Sequence, residues 1–301
     1  MNDARTPSQE SGGQAFQPGG RAFQPGGRAF QPASFIPLHC ALDDITIKVD
    51  SANPPPPTPA MLERWSRACQ ANPRLFNGPI LRYISHSCPL SRAPWERVGE
   101  RALPALPPPC HITARHDTYQ RYAMQADDAA KTDPAKSVYH LAVTGIVTAR
   151  DAHGNESVLL GKRGTSTFIY PDMWEHAPSG GLETADIYDQ LLREMEEELG
   201  LQGLVDGTSR DALLEPQGEH DVLGLTVDPN TPSVDVVLRL QLRNDAKHAL
   251  GAASWEYGST RFVPVAELAA FTEQEGQDTI IPPALATWRG LGWVESSKRQ
   301  T

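Results

Sequence analysis

The stretch SGGLETADIYDQLLREMEEELGL, Ser179–Leu201, decides the fold because it joins a glycine pair to a strongly patterned helix. Its apolar residues recur at the three- and four-residue spacings of one helix face, namely Leu191, Leu192, Met195 and Leu199. Gly200 follows directly, at the position where helices commonly end on a left-handed glycine. The stretch therefore predicts one amphipathic helix that packs against a sheet.

The opposite face of this helix carries three carboxylates. Glu194, Glu197 and Glu198 stand at positions i, i+3 and i+4, so their side chains share one patch. Like charges at this spacing cost roughly a few tenths of a kcal/mol per pair, and the nearby helix C-terminus also disfavours anions. A hard divalent cation such as Mg²⁺ offsets both costs, because it binds carboxylate and phosphate oxygens. The alternative interpretation is a solvated acidic helix face.

The run REMEEELGL, residues 193–201, resembles the second half of the Nudix box, Arg-Glu-apolar-x-Glu-Glu-x-Gly-apolar, at every fixed position. SGGLE, residues 179–183, is similar to the Gly-Gly-x-x-Glu loop that opens that box. The order of strands and helices from about 137 to 296 also resembles a Nudix domain, which is about half of the chain. The resemblance implies that Glu194, Glu197 and Glu198 bind Mg²⁺ or Mn²⁺.

The front half of the box departs from the family pattern. That pattern has a glycine fourteen residues before Arg193 and a glutamate eight residues before it, where this chain has Ser179 and Ala185. Aligning Gly180 and Gly181 with the glycine pair of the family makes the loop about two residues shorter. The contribution of this loop to a metal site is therefore open, whereas the helical carboxylates are unaffected.

The resemblance implies hydrolysis of a nucleoside diphosphate linked to another moiety, and hence a pyrophosphohydrolase of the acid-anhydride hydrolase type. A metal-bound water becomes a usable nucleophile near neutral pH. Glu197 and Glu198 are the expected catalytic carboxylates, and Arg193 is expected to orient a neighbouring carboxylate. Gly180 and Gly181 are expected to bind substrate.

Further candidate residues lie outside the helix. Lys162 and Arg163 end the strand-like segment SVLLGKRG, where they are candidate phosphate contacts; the alternative is ordinary surface charge. Members of the family take another ligand or a base from outside the box. Glu215, Glu219 and Glu256 are candidates for that role, and the sequence does not choose among them.

One segment bears on the substrate. RACQANPRLFNGPILRY, residues 67–83, resembles the N-terminal extension of the Nudix branch that cleaves UDP-sugars to UMP and a sugar 1-phosphate. The alternative is a plain helix–turn–strand unit around Asn77-Gly78. Tyr119, Tyr122 and Trp95 are candidates for a base or sugar pocket, although aromatic side chains more often fill a core. The alternative function is a catalytically impaired Nudix-fold module that binds or senses a nucleotide.

The chain is predicted to divide into three regions. In residues 1–34 the unit AFQPGGR recurs with a period of seven, and its Pro and Gly-Gly exclude helix and strand, which predicts a disordered repeat tail. Residues 35–136 mix strand-like and helix-like segments and are expected to form a small α+β accessory region. Residues 137–301 are expected to form the Nudix domain, an α/β/α sandwich with a mixed sheet.

Composition narrows the class of partner. The net charge of −10 argues against binding to a nucleic-acid backbone, which requires a basic face. The four cysteines show no CxxC pairing, and no apolar run has membrane-spanning length, so we expect reduced cysteines in a cytoplasmic protein without a membrane partner. The expected ligand is a small nucleoside diphosphate derivative, and the sequence leaves the oligomeric state open.

Overall fold

The computed structural model describes residues 31–88, 109–125, 137–216, 221–243, 250, 254 and 256–295. The predicted repeat tail, 1–34, lies outside the described residues except for its last part, from residue 31. A single mixed sheet of 11 strands organises what is described.

The elements follow in chain order. The strands are β1 (Ser34–Cys40), β2 (Ile45–Asp50), β3 (Pro79–Ser87), β4 (Cys110–Thr118), β5 (Tyr139–Arg150), β6 (Glu156–Arg163), β7 (Trp174–His176), β8 (Ser179–Gly181), β9 (Val222–Asp228), β10 (Ser233–Leu242) and β11 (Tyr257–Pro264). The helices are α1 (Pro59–Ala71), α2 (Tyr119–Ala123), α3 (Ile187–Leu199), α4 (Arg210–Leu213), α5 (Leu268–Glu275) and α6 (Pro282–Gly290). Within the described ranges, none of these helices is both long and apolar enough to cross a membrane.

The sheet runs in the order β1-β9-β10-β5-β3-β4-β2, and β6, β7, β8 and β11 branch from this path. β5 and β10 are parallel neighbours, whereas β5 pairs antiparallel with β3, β6 and β8. Strands from the N-terminal region extend the same sheet, because β1 pairs with β9 and β3 pairs with β5. The domain boundaries at 35–136 and 137–301 stay a prediction, but the two regions share one sheet.

Helices cover both faces of the sheet. α3 packs on one face, where Leu191 and Met195 join the core that contains Leu141 and Val143 of β5. α5 and α6 pack on the other face, where Trp288 belongs to the core with Ile146 of β5. Alternate residues of a strand point to opposite faces, so odd and even residues of β5 serve different cores. The predicted α/β/α sandwich with a mixed sheet is confirmed.

Helix α3 begins and ends on specific caps. The Asp186 side chain accepts a hydrogen bond from the backbone N–H of Asp189 at 2.9 Å and closes the N-terminus. At the other end Gly200 is left-handed, with φ of 71°, and the Leu201 N–H bonds back to the Met195 carbonyl. These caps fix the length of the helix, and with it the positions of its carboxylates.

The cysteine prediction is wrong for one pair. Cys88 and Cys110 form a disulfide, while Cys40 and Cys69 are free. The antiparallel pairing of β3 with β4 sets Ser87 opposite His111, so the next residues along each strand meet. Spacing along the sequence does not reveal this contact, because it depends on the register of two strands.

Two strand glycines provide a test of the packing beside the site. A Cβ at Gly161 would lie 2.5 Å from ring atoms of the buried Tyr257, whereas a Cβ at Gly258 would meet only the Lys162 carbonyl at 3.9 Å. We expect Gly161→Ala to lower the free energy of unfolding by about 1–3 kcal/mol, since the ring must move. We expect the matched control Gly258→Ala to change it by less than about 0.5 kcal/mol. Urea unfolding measures both values, and equal effects would contradict the packing described.

Candidate active site

A cavity of about 220 Å³ opens beside β8. One part of its wall carries glutamates, an arginine and the β8 strand: Arg163, Glu175, Ser179, Gly180, Gly181 and Glu256. The rest of the wall is aromatic and polar, and includes Tyr119, Tyr122, His140, Tyr170, Asp228 and Asp235. The wall therefore includes β8, which contacts the box helix, and a β5–β10 end with His140 and Asp235; none of Glu194, Glu197 and Glu198 lines the cavity.

Two of the predicted metal ligands meet β8. Glu198 is buried, and its Oε2 accepts a hydrogen bond from the Ser179 N–H at 3.2 Å. The Glu194 carboxylate accepts from Gln190 Nε2 at 2.8 Å and lies so close to Gly180 that a Cβ there would overlap it. Glu197, the third, is exposed. The helix thus brings Glu194 and Glu198 to the glycine strand and leaves Glu197 at the rim.

The buried carboxyls perturb one another. Burial raises the pKa of Glu194 to about 7, and the charges of Glu197 and Glu256 act in the same direction. Burial raises the pKa of Glu198 well above its usual range, and a hydrogen bond with Glu256 raises it further. A hydrogen bond between two carboxyls requires that one of them hold a proton. These groups repel each other unless a proton or a cation lies among them.

The donor set fits a hard divalent cation. Every candidate ligand of this cluster offers carboxylate oxygens, which Mg²⁺ and Mn²⁺ prefer. Across the described ranges, however, no group of three or more His, Cys, Asp or Glu side chains is arranged as a ready-made metal cage. Mg²⁺ commonly binds through one or two carboxylates and completes its shell with water and substrate phosphate. Glu194 and Glu198 suit that mode of binding.

The two predicted phosphate contacts separate in the structure. Arg163 lines the cavity; its Nη1 donates to Glu175, and its Nε donates to the Ile169 carbonyl at 2.9 Å. Burial by itself lowers the pKa of Arg163, but the Glu175 charge outweighs it and the net pKa is raised. Lys162 instead pairs with Asp172 at 3.2 Å. Arg163 is the fixed cation at the cavity, and Lys162 belongs to the neighbouring surface.

Arg193 contacts a different carboxylate from the one expected. It forms an ion pair with Asp189, one turn earlier on α3. Residues four apart share a helix face, so this pairing is local to the first turns of the helix. Within the described part of the chain, the hydrogen bond and ion pair of Arg193 go to Asp189 and not to a box glutamate. Its catalytic role stays a prediction.

The glycine pair belongs to a strand that separates two sets of side chains. Gly180 pairs with Val143 and Gly181 with Ala142 of β5. A Cβ at Gly180 would overlap Glu194, and a Cβ at Gly181 would overlap the His140 ring. Both positions therefore require the absence of a side chain. The shortened loop after Gly181 leads directly into the Asp186 cap of α3.

The structure distinguishes among the remaining candidates. Glu256 lies against Glu198 at the cavity, whereas Glu215 pairs with Arg243 at 3.5 Å. Glu219 and Trp95 lie outside the described residues. Tyr119 and Tyr122 line the cavity as predicted for a pocket.

Sequence reasoning missed several polar residues of the cavity wall, among them Glu175, His140 and Asp235. His140 and Asp235 are polar residues inside otherwise apolar strands, as in YHLAV of β5 and SVDVVL of β10. That interruption of an apolar pattern is the signal that identifies such positions, since a polar group on an inward face needs a partner or a ligand. Glu175 lies between Trp174 and His176 in β7 and carries no such signal.

Buried carboxylates on a helix, a glycine strand against them and an arginine in the wall of the neighbouring cavity are residue types that suit a phosphate-bearing ligand with a divalent cation. Residues 138–283 match the family model of the NUDIX domain. The chain thus carries a Nudix domain, and the predicted class, a Nudix pyrophosphohydrolase, is confirmed by this match.

Solved structures share this fold at low identity. RenU, a Nudix hydrolase from M. smegmatis, is 16% identical, with 51% of this chain and 83% of that chain covered and a TM-score of 0.36. The C. elegans Ap4A hydrolase binary complex is 15% identical, with 51% of this chain and 95% of that chain covered and a TM-score of 0.34. The NUDIX domain of Shewanella oneidensis NrtR with ADP ribose is 14% identical, with 58% and 97% covered and a TM-score of 0.34. TM-scores this low carry no information on the substrate of this chain.

Comparison with curated proteins found no match to the sequence.

The raised carboxyl pKa values predict how stability depends on pH. The folded protein holds protons on Glu194 and Glu198 at pH values where the unfolded chain, with an ordinary pKa of 4.5, has released them. The stabilisation that these two carboxyls provide is fully present below the unfolded pKa of 4.5, and it is lost as the pH rises through the folded pKa, which is about 7 for Glu194. We expect metal-free protein to lose on the order of 2 kcal/mol of unfolding free energy over this range.

Urea unfolding from pH 5 to pH 8 in a chelating buffer measures this loss. Glu198→Gln should flatten the pH dependence, because glutamine does not titrate. Glu267→Gln, at an exposed position, is the matched control and should retain the wild-type slope. A wild-type slope in Glu198→Gln would contradict the assignment.

Proposed function

We propose that this protein hydrolyses a nucleoside diphosphate linked to another moiety, with UDP-sugars as the substrate class and UMP and a sugar 1-phosphate as products. The observation that carries this proposal is the placement of Glu194 and Glu198 against β8, beside a cavity that holds Arg163. When bound, Mg²⁺ or Mn²⁺ supplies charge neutralisation for the diphosphate and a water of lowered pKa.

The residues of the chain divide the remaining tasks. Glu194 and Glu198 would hold the cation, together with the exposed Glu197. Burial and the hydrogen bond with Glu256 raise the pKa of Glu198, so a carboxylate of this pair is suited to accept a proton from the attacking water. Arg163, fixed by Glu175, orients a diphosphate oxygen through its guanidinium.

The N-terminal region supports UDP-sugars as substrates. Helix α2 belongs to that region, and its Tyr119 and Tyr122 lie in the wall of the same cavity. The Tyr122 ring packs on His140 of β5, with ring centroids 4.9 Å apart. An extension that supplies part of the substrate wall suits an enzyme that recognises both the nucleotide and the group attached to it.

A second candidate function is a catalytically impaired module that binds or senses a nucleotide. It is favoured by the short loop between Gly181 and Asp186 and by the finding that the described side chains do not preform a cage of three metal ligands. Binding of nucleotides without turnover would support this function over the first.

Glutamine variants test the catalytic proposal. Purified protein is incubated with UDP-sugars, ADP-ribose, dinucleoside polyphosphates and coenzyme A, with and without Mg²⁺. We expect turnover of UDP-sugars that requires the metal. Glu197→Gln and Glu198→Gln should each lower kcat by about 100-fold or more, since each removes a charged oxygen from the metal site.

Glu196→Gln is the matched control. Glu196 lies on the same helix, but its carboxylate accepts from the backbone N–H groups of Leu204 and Val205 at 2.7 and 2.9 Å. It should therefore retain activity near that of the wild type. The catalytic proposal would be contradicted by absence of turnover with every substrate. It would also be contradicted by equal activity of the Glu196→Gln, Glu197→Gln and Glu198→Gln variants.

A further inference from the structure

The β5–β10 end of the cavity holds a second set of polar groups. His140 lies on β5 and Asp235 on the neighbouring parallel strand β10, where Asp235 stands opposite Ala142. Ala142 in turn pairs with Gly181 of β8. His140 and Asp235 both line the cavity, so this end lies within one strand of the glycine pair. Neither residue belongs to the box.

These two groups have unused hydrogen-bonding capacity. The Asp235 carboxylate bonds to the Ser233 side chain, and its Oδ2 accepts from the Thr144 hydroxyl at 3.0 Å, but Oδ1 is buried and has no partner among the described residues. His140 Nε2 is also buried and without a partner among them. An unsatisfied buried polar group destabilises the fold, so two such atoms on residues that line one cavity point to a ligand that satisfies them.

Asp228, which lines the same cavity, is an aspartate with a structural role and serves as a comparison for Asp235. Asp228 is fully buried, and both of its oxygens are occupied. Oδ2 accepts from the Tyr170 and Thr231 hydroxyls at 2.6 and 2.7 Å. Oδ1 accepts from the backbone and side-chain nitrogens of Asn230 at 2.9 and 2.8 Å. Asp228 is satisfied by the fold, and Asp235 is not.

The chemistry of this end selects a neutral ligand that is rich in donors. Asp228 and Asp235 line the cavity and repel phosphate, whereas the Arg163 guanidinium, which pairs with Glu175, is the positive group in the same wall. Burial lowers the pKa of His140 to about 4, so the imidazole is neutral at pH 7 and its Nε2 either donates or accepts. A hydroxyl group both donates and accepts, and it therefore matches the carboxylate oxygen and the neutral imidazole together.

We propose that Asp235 and His140 form the sugar-binding end of the cavity and set the preference of the enzyme for a sugar-bearing substrate. Hydroxyl groups of the sugar donate to Asp235 Oδ1 and bond to His140 Nε2, while the diphosphate faces Arg163 and the box glutamates. This inference rests on the proposed function, because it assigns the moiety that the nucleoside diphosphate carries. The sugar-binding role of Asp235 is separable from the chemistry, since the hydrogen bonds of its side chain go to Thr144 and Ser233 and not to the box glutamates.

Paired substrates test the inference. UDP-glucose and the methyl ester of UDP present the same diphosphate ester bond, but only the first has sugar hydroxyls beyond it. We expect Asp235→Asn to raise KM for UDP-glucose by about 10- to 100-fold, the worth of a hydrogen bond to a charged group. Its KM for the methyl ester should be unchanged. His140→Asn has no nitrogen at the position of Nε2 and should show the same pattern. His140→Gln places a nitrogen near that position and should partly restore the wild-type KM for UDP-glucose.

Asp221→Asn is the matched control. Asp221 is a buried aspartate that pairs with Arg239 and does not line the cavity, so its variant should leave both KM values unchanged. Thermal melting of each variant checks the fold, and Asp235→Asn should melt no lower than the wild type, because it removes a buried unpaired charge. Equal effects of Asp235→Asn on both substrates, or the same effect from Asp221→Asn, would overturn the inference.

Binding without turnover separates this inference from the proposed function. Calorimetric titration with UDP-glucose and with UDP, in the presence of a chelator, should show tighter binding of UDP-glucose to the wild type and no such preference in Asp235→Asn. That result supports the sugar-binding end even if hydrolysis fails. A preference that survives in the variant, or an equal loss of affinity for UDP, whose only sugar is its ribose, would overturn it while leaving the hydrolase proposal standing.

Discussion

The arrangement of the site depends on how closely side chains approach the backbone of β8. Alternate residues of a strand point to opposite faces, so Gly180 and Gly181 face different sides. On one side the Glu194 carboxylate occupies the space of a Cβ, and on the other the His140 ring does the same. A strand of two glycines is therefore the partition between the box helix and the β5–β10 end of the cavity. A side chain at either position would displace a functional group.

The electrostatics of the cavity follow from this crowding. Glu194, Glu198 and Glu256 are held near one another, and burial raises the pKa values of Glu194 and Glu198. Arg163 is engaged with Glu175, which also accepts from the Tyr257 hydroxyl at 3.1 Å. Buried like charges destabilise the fold, and such destabilising clusters are found mostly at functional sites. In the proposed function, binding of a cation and a diphosphate would recover the stability that the fold gives up here.

The local parts of this architecture could be predicted from the sequence, and the non-local parts could not. The periodicity and caps of α3 determine that helix, and the carboxylates on it follow from their spacing. Asp235 and His140 come together because β10 lies parallel to β5, and no short-range pattern encodes which strands become neighbours. The Cys88–Cys110 disulfide and the pairing of β3 with β5 depend on strand register in the same way. The polar interruptions of β5 and β10 were visible in the sequence, but their ligand-facing role was not.

The layout separates chemistry from recognition. The carboxylates come from α3 and the segment before β11. The rest of the cavity wall comes largely from β5 and β10, with α2 added by the N-terminal region. Strand β5 connects the two ends, because it pairs with β8 at Ala142 and with β10 at the same residue. In the proposed function, changes at Asp235 or on α2 would alter which substrate is recognised without displacing the carboxylates of α3. The shared sheet would then let the N-terminal region select the substrate while the box helix retains one chemistry.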